Sequence, residues 1–246
     1  MAKSIKRSTV FQRLSIYANG LSKLLWGVYV CFLYFLSNIK EMAKEYTEYL
    51  EDLVHQYSSD FFCLINSPLT TVSGEEVRFD VWIRILLEFI RDLKDRNKSL
   101  YFIGNGASAA ISSHFATDFT KRGKFRAFSF NDGVLLTCFN NDYSLEASFS
   151  EILKCYMQDG DCLFAISSSG QSKNVLEAVR CVKENYNKSK VVTYSGISID
   201  NPLRQLGDFN LYLNSSSYGP IESGHSFFIH MLLDLYMKVY GNHDRI

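Results

Sequence analysis

The sequence predicts an α/β fold in which five parallel strands form a sheet with helices on both faces. Five short apolar runs alternate with helical patterns, and this order favours a parallel sheet with crossover helices. Turns rich in glycine or serine follow two of the runs. With 246 residues, of which 47% are hydrophobic, the chain can bury the core of one domain plus an appendage.

The amino-terminal residues 1–41 differ from the rest, and we expect an extension there, followed by a domain over residues 42–246. Basic residues precede a run of 13 mostly apolar residues, Leu24–Leu36, which is shorter than the roughly 20 that cross a bilayer as a helix. The run suits an interfacial helix or a marginal anchor with weak membrane association. A simpler interpretation is that translation begins at Met42, whose Met-Ala-Lys repeats the first three residues.

Hydrophobic periodicity predicts the elements in order. An apolar stripe indicates a helix from Glu41 to about Cys63, Pro68 and Ser73-Gly74 indicate a loop, and a second helix covers about Glu76–Lys94. The predicted strands are Leu100–Ile103, Arg126–Phe130, Cys162–Ser167, Lys190–Tyr194 and Phe209–Leu213. The predicted later helices are about Ala107–Lys121, Leu145–Gln158, Asn174–Tyr186 and Ile221–Tyr240.

The composition excludes some classes of partner. The 26 basic residues balance 26 acidic ones, so no basic excess indicates nucleic-acid binding. The six cysteines include no C-x-x-C pair, and several lie in apolar runs as free core thiols do. A reducing cytoplasm is therefore the expected location.

The segment Tyr101–Asp118 combines an anion-binding turn with a possible acid–base pair. Gly104, Asn105 and Gly106 end an apolar strand and precede a helix rich in small residues, so backbone N–H groups face an anion. His114 and Asp118, four residues apart, share one face of that helix. An ordinary surface pair would show the same spacing. The glycines also approximate the dinucleotide fingerprint, with Asp132 as an inexact acidic partner.

A second polar loop follows the predicted strand Cys162–Ser167. Its sequence is Ser168-Ser-Gly-Gln-Ser172, at a strand-to-helix junction. Hydroxyl and N–H groups there can hold a phosphate monoester without a lysine. The Gly-Lys-Ser/Thr of a Walker loop is absent, so ATP chemistry is not expected. A serine-rich turn with a helix cap would look similar, but two anion-type loops on neighbouring strands favour phosphate binding.

Four segments resemble the sugar isomerase (SIS) domain family, and within it the phosphoheptose isomerases. They are Ile103–Ser108, Asn140–Tyr143, Ala165–Ser172 and the closing helix from Glu222 to His230. The resemblance covers about residues 42–240. It implies a three-layer sandwich with additional N-terminal helices, and a cytoplasmic homotetramer with sites between subunits. It also implies conversion of sedoheptulose 7-phosphate for lipopolysaccharide or capsule synthesis.

The resemblance also assigns roles to individual residues. Those expected to grip the phosphate are Ser108, Ser167, Ser168, Ser169 and Ser172. Those expected to contact the rest of the sugar are Asn105, Gly106, Asn141, Asp142 and Glu222. The expected catalytic pair is Asp118 and His230. The expected divalent-metal set, with zinc as the usual ion, is His114, Asp118, Glu222 and His230.

Two positions depart from the family pattern, because Asp118 replaces a glutamate and Glu222 replaces a glutamine. Shortening the base by one methylene can lower the rate steeply, since a 1 Å misplacement can cost about 100-fold. A regular helix would separate Glu222 from His230 by about 12 Å. Both could bind one ion if the helix began after Glu222 or if a second subunit contributed. We expect the nearby His225 to be structural.

Three other functions stay open at this point. One is a regulatory SIS module that binds a phosphosugar or docks to a protein without turnover. Another is an isomerase or epimerase of a related sugar phosphate, which Asp118 and Glu222 favour. NAD-dependent oxidoreduction is the third, and it needs only the first glycine loop.

Overall fold

The computed structural model describes the backbone of residues 5–241 and the side chains of residues 26–241. Its contacts divide the chain into two units, Met1–Ser59 and Asp60–Ile246. Helix α1 spans Ile5–Asn66 as one continuous helix that includes the predicted Glu41–Cys63. Pro68 is the first proline of the chain, and the residue before a proline disfavours helix, which explains the end of α1. Among the described residues, no helix has the length and apolarity needed to cross a bilayer.

The second unit contains one seven-stranded sheet. Its strands are β1 Leu69–Val72, β2 Glu75–Val77, β3 Ser99–Ile103, β4 Arg126–Ser129, β5 Cys162–Ser167, β6 Lys190–Gly196 and β7 Phe209–Leu213. Their order is β2-β1-β7-β6-β5-β3-β4. The five predicted strands, β3 to β7, are all present and pair in parallel. The α/β prediction is therefore confirmed, whereas the five-strand count was too low.

The two additional strands form a hairpin at one edge of the sheet. β1 pairs antiparallel with both β2 and β7. The turn between β1 and β2 consists of Ser73 and Gly74, both at positive φ, as a type I′ hairpin turn requires. The predicted loop is correct at Pro68, which lies between α1 and β1, and at Ser73-Gly74, but the residues between them form β1. The predicted start of the next helix at Glu76 was wrong because Glu76 lies in β2.

Helices cover both faces of the sheet and make three layers. The remaining helices are α2 Phe79–Asp95, α3 Ala107–Lys121, α4 Gly133–Asp142, α5 Ser148–Tyr156, α6 Lys173–Asn185, α7 Pro202–Leu206 and α8 Tyr218–Tyr240. One core lies between the sheet and α2, α3 and α8, and the other lies between the sheet and α5 and α6. Strand residues alternate between them, so Phe102 enters the first core and Tyr101 the second.

The chain direction switches between β3 and β5. From β3 the chain moves to β4 on one side of the sheet and then returns to β5 on the other. Helices α3 and α6, which follow β3 and β5, therefore lie on opposite faces. Such a switch leaves a crevice beyond the carboxyl ends of the two strands, where ligands bind in open α/β sheets.

Candidate active site

The loop after β3 is shaped by two glycines with different requirements. A Cβ atom on Gly104 would lie 2.6 Å from the Ser108 Cβ, so this glycine lets the first turn of α3 pack against the strand end. Gly106 has φ 56° and ψ −123°, a conformation that glycine tolerates best. Ala109 and Ala110 donate to the Gly106 carbonyl, which starts α3 with its first N–H groups directed toward the crevice. Ser108 is buried at this start.

The loop after β5 is a compact serine turn. The Ser167 hydroxyl lies 3.1 Å from the Ser172 hydroxyl, and Gly170 donates its N–H to the Ser167 carbonyl over 2.9 Å. Gly170 has a positive φ of 65°. The Ser168 Oγ is buried and, among the described residues, has no hydrogen-bond partner. A buried hydroxyl without a partner is costly, and an anion at the crevice would supply an acceptor for it.

A pair of asparagines connects the two loops. The side-chain amide of Asn105 donates from Nδ2 to Asn174 Oδ1 over 2.8 Å, and Asn174 Nδ2 donates back to Asn105 Oδ1 over 3.0 Å. Asn174 is buried near the start of α6. Asn174 was not among the residues predicted from the sequence, where its only signal is its position two residues after Ser172. The reciprocal bonds hold the ends of β3 and β5 in one arrangement.

The second feature is a histidine–carboxylate group between α3 and α8. His114 Nε2 lies 3.5 Å from Asp118 Oδ2, and the rings of His114 and His230 have centroids 5.1 Å apart. Phe115, which is buried, packs edge-on against the His230 ring at 4.6 Å. The structure therefore brings together three of the predicted residues, although they lie on helices far apart in sequence.

Arg122 adds a positive charge beside this group. One guanidinium nitrogen lies 4.0 Å from Asp118 Oδ2, and the other lies 2.6 Å from Asp234 Oδ1 on α8. The arginine thus links α3 to α8 and keeps a cation next to Asp118. Since Arg122 is partly exposed, the pair itself stabilises the fold only weakly.

The remaining predicted residues lie apart from the histidine group. Glu222 is inside α8, two turns before His230, because α8 begins at Tyr218 rather than at the predicted Ile221. Pro220 is accommodated in the first turn, where its missing N–H would be unpaired anyway. Asn141 and Asp142 end the exposed helix α4 and hydrogen-bond to each other over 3.0 Å. Ser169 accepts a hydrogen bond from the Gln171 N–H.

His114, Asp118 and His230 fit a divalent metal by the chemistry of their donors. One ligand atom from each lies within 4.8 Å of the others. Two imidazole nitrogens and a carboxylate oxygen make a set that zinc accepts at catalytic sites, where a fourth position stays open. Among the described residues this group does not include Glu222, so its predicted role as a metal ligand stays a prediction.

Comparison with known proteins agrees with this architecture. The SIS domain family matches residues 81–191. Phosphoheptose isomerase from Campylobacter concisus is 34% identical over 156 residues, which cover 61% of this chain and 81% of the relative. That from Geobacter sulfurreducens is 31% identical over 158 residues, covering 61% and 82%. The structure of phosphoheptose isomerase GmhA from Neisseria gonorrhoeae is 26% identical, covers 77% of this chain and 100% of its own, and superimposes with a TM-score of 0.62.

These likenesses extend over most of the length of each relative. The matched residues 81–191 include both strand-end loops and α3, which carries His114 and Asp118, and they end before α8. The chain belongs to the phosphoheptose isomerase family of SIS-domain proteins and is an isomerase.

Proposed function

We propose that this protein interconverts sedoheptulose 7-phosphate and D-glycero-D-manno-heptose 7-phosphate, as a source of heptose for lipopolysaccharide or capsule. The observation that carries the proposal is the meeting of His230 with His114 and Asp118. A phosphosugar receptor needs the two loops alone, whereas an isomerase also needs groups that move protons.

The two strand-end loops are proposed to bind the phosphate. The buried Ser168 hydroxyl, which has no partner among the described residues, the linked hydroxyls of Ser167 and Ser172 and the N-termini of α3 and α6 all lie where the neighbouring parallel strands β3 and β5 end. Together they offer hydroxyl and N–H donors to an anion. Ser108 and Ser169 complete the proposed set, while Asn105 and Gly106 line the sugar.

The histidine group is proposed to act at the other end of the sugar, on C1 and C2. His114 is eight residues beyond Gly106, which places it about 12 Å along α3 from the loop. An extended heptose phosphate carries its phosphate and its reacting carbons at opposite ends, as this separation requires. If the protein is a homotetramer, as we propose, a neighbouring subunit can complete each site.

The proton transfers balance as an isomerisation. Asp118 removes a proton from C1 of the ketose while the C2 oxygen gains one, which forms an enediol. Asp118 then returns the proton to C2 while the C1 oxygen loses its proton. His230, protonated at the start, gives its proton to the C2 oxygen in the first step and takes one from the C1 oxygen in the second, so it ends as it began.

A divalent metal, with zinc as the proposed ion, would be held by His114, Asp118 and His230. When bound, such an ion supplies polarisation of the sugar oxygens and stabilisation of the negative charge on them. A carboxylate has two oxygens and an imidazole two nitrogens, so binding through one atom leaves the second for proton transfer. The negative charge of Glu222 would favour a cation nearby, or its carboxylate would act as a second base.

Turnover of sedoheptulose 7-phosphate, measured as formation of an aldoheptose phosphate, tests the proposal. We expect His230→Ala and Asp118→Asn to lower kcat by at least about 100-fold, with binding of the phosphosugar retained. Removal of metal with a chelator should abolish turnover and added zinc should restore it. His55→Ala, at an exposed histidine of α1, is the matched control and should be fully active. Binding of the sugar without turnover in the wild type would instead support a regulatory module.

The departures from the family pattern give a second test of substrate. Asp118→Glu restores the usual length of the base, and Glu222→Gln restores the usual neutral amide. If sedoheptulose 7-phosphate is the substrate, both variants should keep its turnover or increase it. If the wild type acts only on another ketose phosphate, and these changes shift activity toward the heptose, the substrate assignment is wrong while the isomerase assignment stands.

A further inference from the structure

We propose that the amino-terminal part of α1 docks the protein on anionic phospholipid bilayers, with residues 26–36 inserted below the headgroups among the acyl chains. This surface belongs to the first unit of the chain and is independent of the isomerase site. The proposed occupant is a lipid surface, and a second copy of the chain is the competing occupant that the experiment must separate.

The apolar surface surrounds the helix. Each residue from Trp26 to Leu36 is exposed, and ten of these eleven are apolar, the exception being Gly27. Eleven residues complete three turns, so apolar side chains point in every direction around the axis. Trp26 and Tyr34 are 68% and 70% exposed. A helix that is apolar on all sides needs cover on all sides or a membrane, whereas one partner helix covers only a seam.

The charge of this segment is complementary to anionic lipid. Residues 1–40 contain six basic residues and no acidic one. The basic residues are Lys3, Lys6, Arg7, Arg13, Lys23 and Lys40. The other 206 residues then hold 20 basic against 26 acidic residues. Basic residues next to an apolar helix bind anionic membranes through electrostatic attraction, and the apolar side chains add hydrophobic insertion. The net negative charge of the other residues favours membrane contact through this segment alone.

The same helix changes character after Lys40, which supplies an internal comparison. From Glu41 onward, charged residues alternate with apolar ones along the helix. Among them Lys44 and Glu48 form an ion pair, with Lys44 Nζ 3.6 Å from Glu48 Oε1. The exposed apolar residues there form a stripe, with Tyr46, Leu50, Leu53 and Tyr57 among them. A stripe of this kind is typical of contact between protein helices. The surface that is apolar around the whole helix therefore ends before Glu41, the first acidic residue of the chain.

The two tryptophans of the chain allow a direct assay. Trp82 is fully buried in the second unit, and Trp82→Phe leaves Trp26 as the only indole. We expect the Trp26 emission of the full chain to shift to the blue on addition of phosphatidylcholine vesicles containing about 30 mol % phosphatidylglycerol. Pure phosphatidylcholine should give a weaker shift, and about 0.5 M NaCl should reduce binding to the anionic vesicles. Intact mass must first verify that the assayed chain begins at Met1.

Two sets of variants, made in the Trp82→Phe chain, test the electrostatic and the hydrophobic contribution separately. Replacement of Lys3, Lys6, Arg7 and Arg13 by Gln should weaken partitioning to anionic vesicles by at least about 30-fold. Phe32→Ser with Phe35→Ser should abolish the blue shift. The matched control is Leu50→Ser with Leu53→Ser, which removes two exposed apolar residues beyond Lys40 and should partition as the parent does.

Three outcomes would overturn the proposal. One is no shift with either kind of vesicle. Another is equal binding to neutral and anionic vesicles, which would remove the charge argument. The third is a Trp26 emission that is already blue-shifted without lipid and moves to the red on dilution, because that result would assign the surface to a second copy of the chain.

Discussion

Acid should destabilise the protein through one buried histidine. His225 lies on α8 and is fully buried. Its Nε2 donates to the Ser195 carbonyl over 3.2 Å, and its Nδ1 is buried without a partner among the described residues. Burial lowers the pKa of His225 from 6.5 to about 4, and the hydrogen bond to Ser195 opposes this shift only in part. The folded protein therefore keeps His225 neutral where the unfolded chain would protonate it.

The size of the effect follows from the two pKa values. Above pH 6.5 neither state binds the proton, so stability is unaffected. As pH falls below 6.5, the unfolded state gains a proton that the folded state takes up only near pH 4, and stability is lost through this window. The loss from this one group is about 2 kcal/mol at pH 5 and about 3 kcal/mol at pH 4.

Urea unfolding at pH 7.5 and pH 5, at constant protein concentration, measures this loss. His225→Gln removes the titrating group and keeps an amide that can donate to Ser195. The wild type should lose about 2 kcal/mol more than His225→Gln between the two pH values. His55→Gln, at an exposed histidine, should behave as the wild type. Equal losses in the wild type and His225→Gln would refute the reasoning, because the loss would then come from other groups.

Two further predictions concern the strand-end loops. A Cβ atom on Gly170, which has φ 65°, would collide with the Asn201 side chain. Gly170→Ala should therefore raise the KM for the phosphosugar by at least about tenfold and destabilise the fold by about 1–3 kcal/mol. Steady-state kinetics and urea unfolding measure these two effects. Asn174→Ala breaks the reciprocal bonds to Asn105 and should raise KM with a stability loss of about 1 kcal/mol. Asn185→Ala on the same helix is its control, and an equal change in KM there would contradict the role of Asn174.

The inner strands of the parallel sheet could be predicted because they are buried on both faces. β3, β5 and β7 consist of buried residues, so each is an apolar run bounded by turn residues. The hairpin of β1 and β2 was missed because its strands are short and partly polar. α4 was missed for a related reason, since none of its residues is buried and no apolar stripe records its face.

The phosphate loops could be predicted from the residues themselves, whereas the histidine group could not. The phosphate loops depend on local features, glycines and serines that follow a strand, which can be recognised in the sequence. The meeting of His230 with His114 depends on the packing of α8 against α3, so only the resemblance to a family indicated it. Asn174 could not be found, because its role depends on a partner in another loop.

The two histidines of α8 connect the stability of the fold to the chemistry of the site. His225 is tied to the end of β6 through Ser195, while His230 lies five residues later, about 7.5 Å along the axis, with its ring against His114 and Phe115. The neutral state of His225 thus helps to set the position at which His230 meets Asp118. A protonated His225 would be buried with no counter-charge among the described residues, so acid should weaken the anchor of α8 and the group around His114 together. Because the folded protein takes up this proton only near pH 4, activity should decline as pH approaches 4, below the range in which stability first falls.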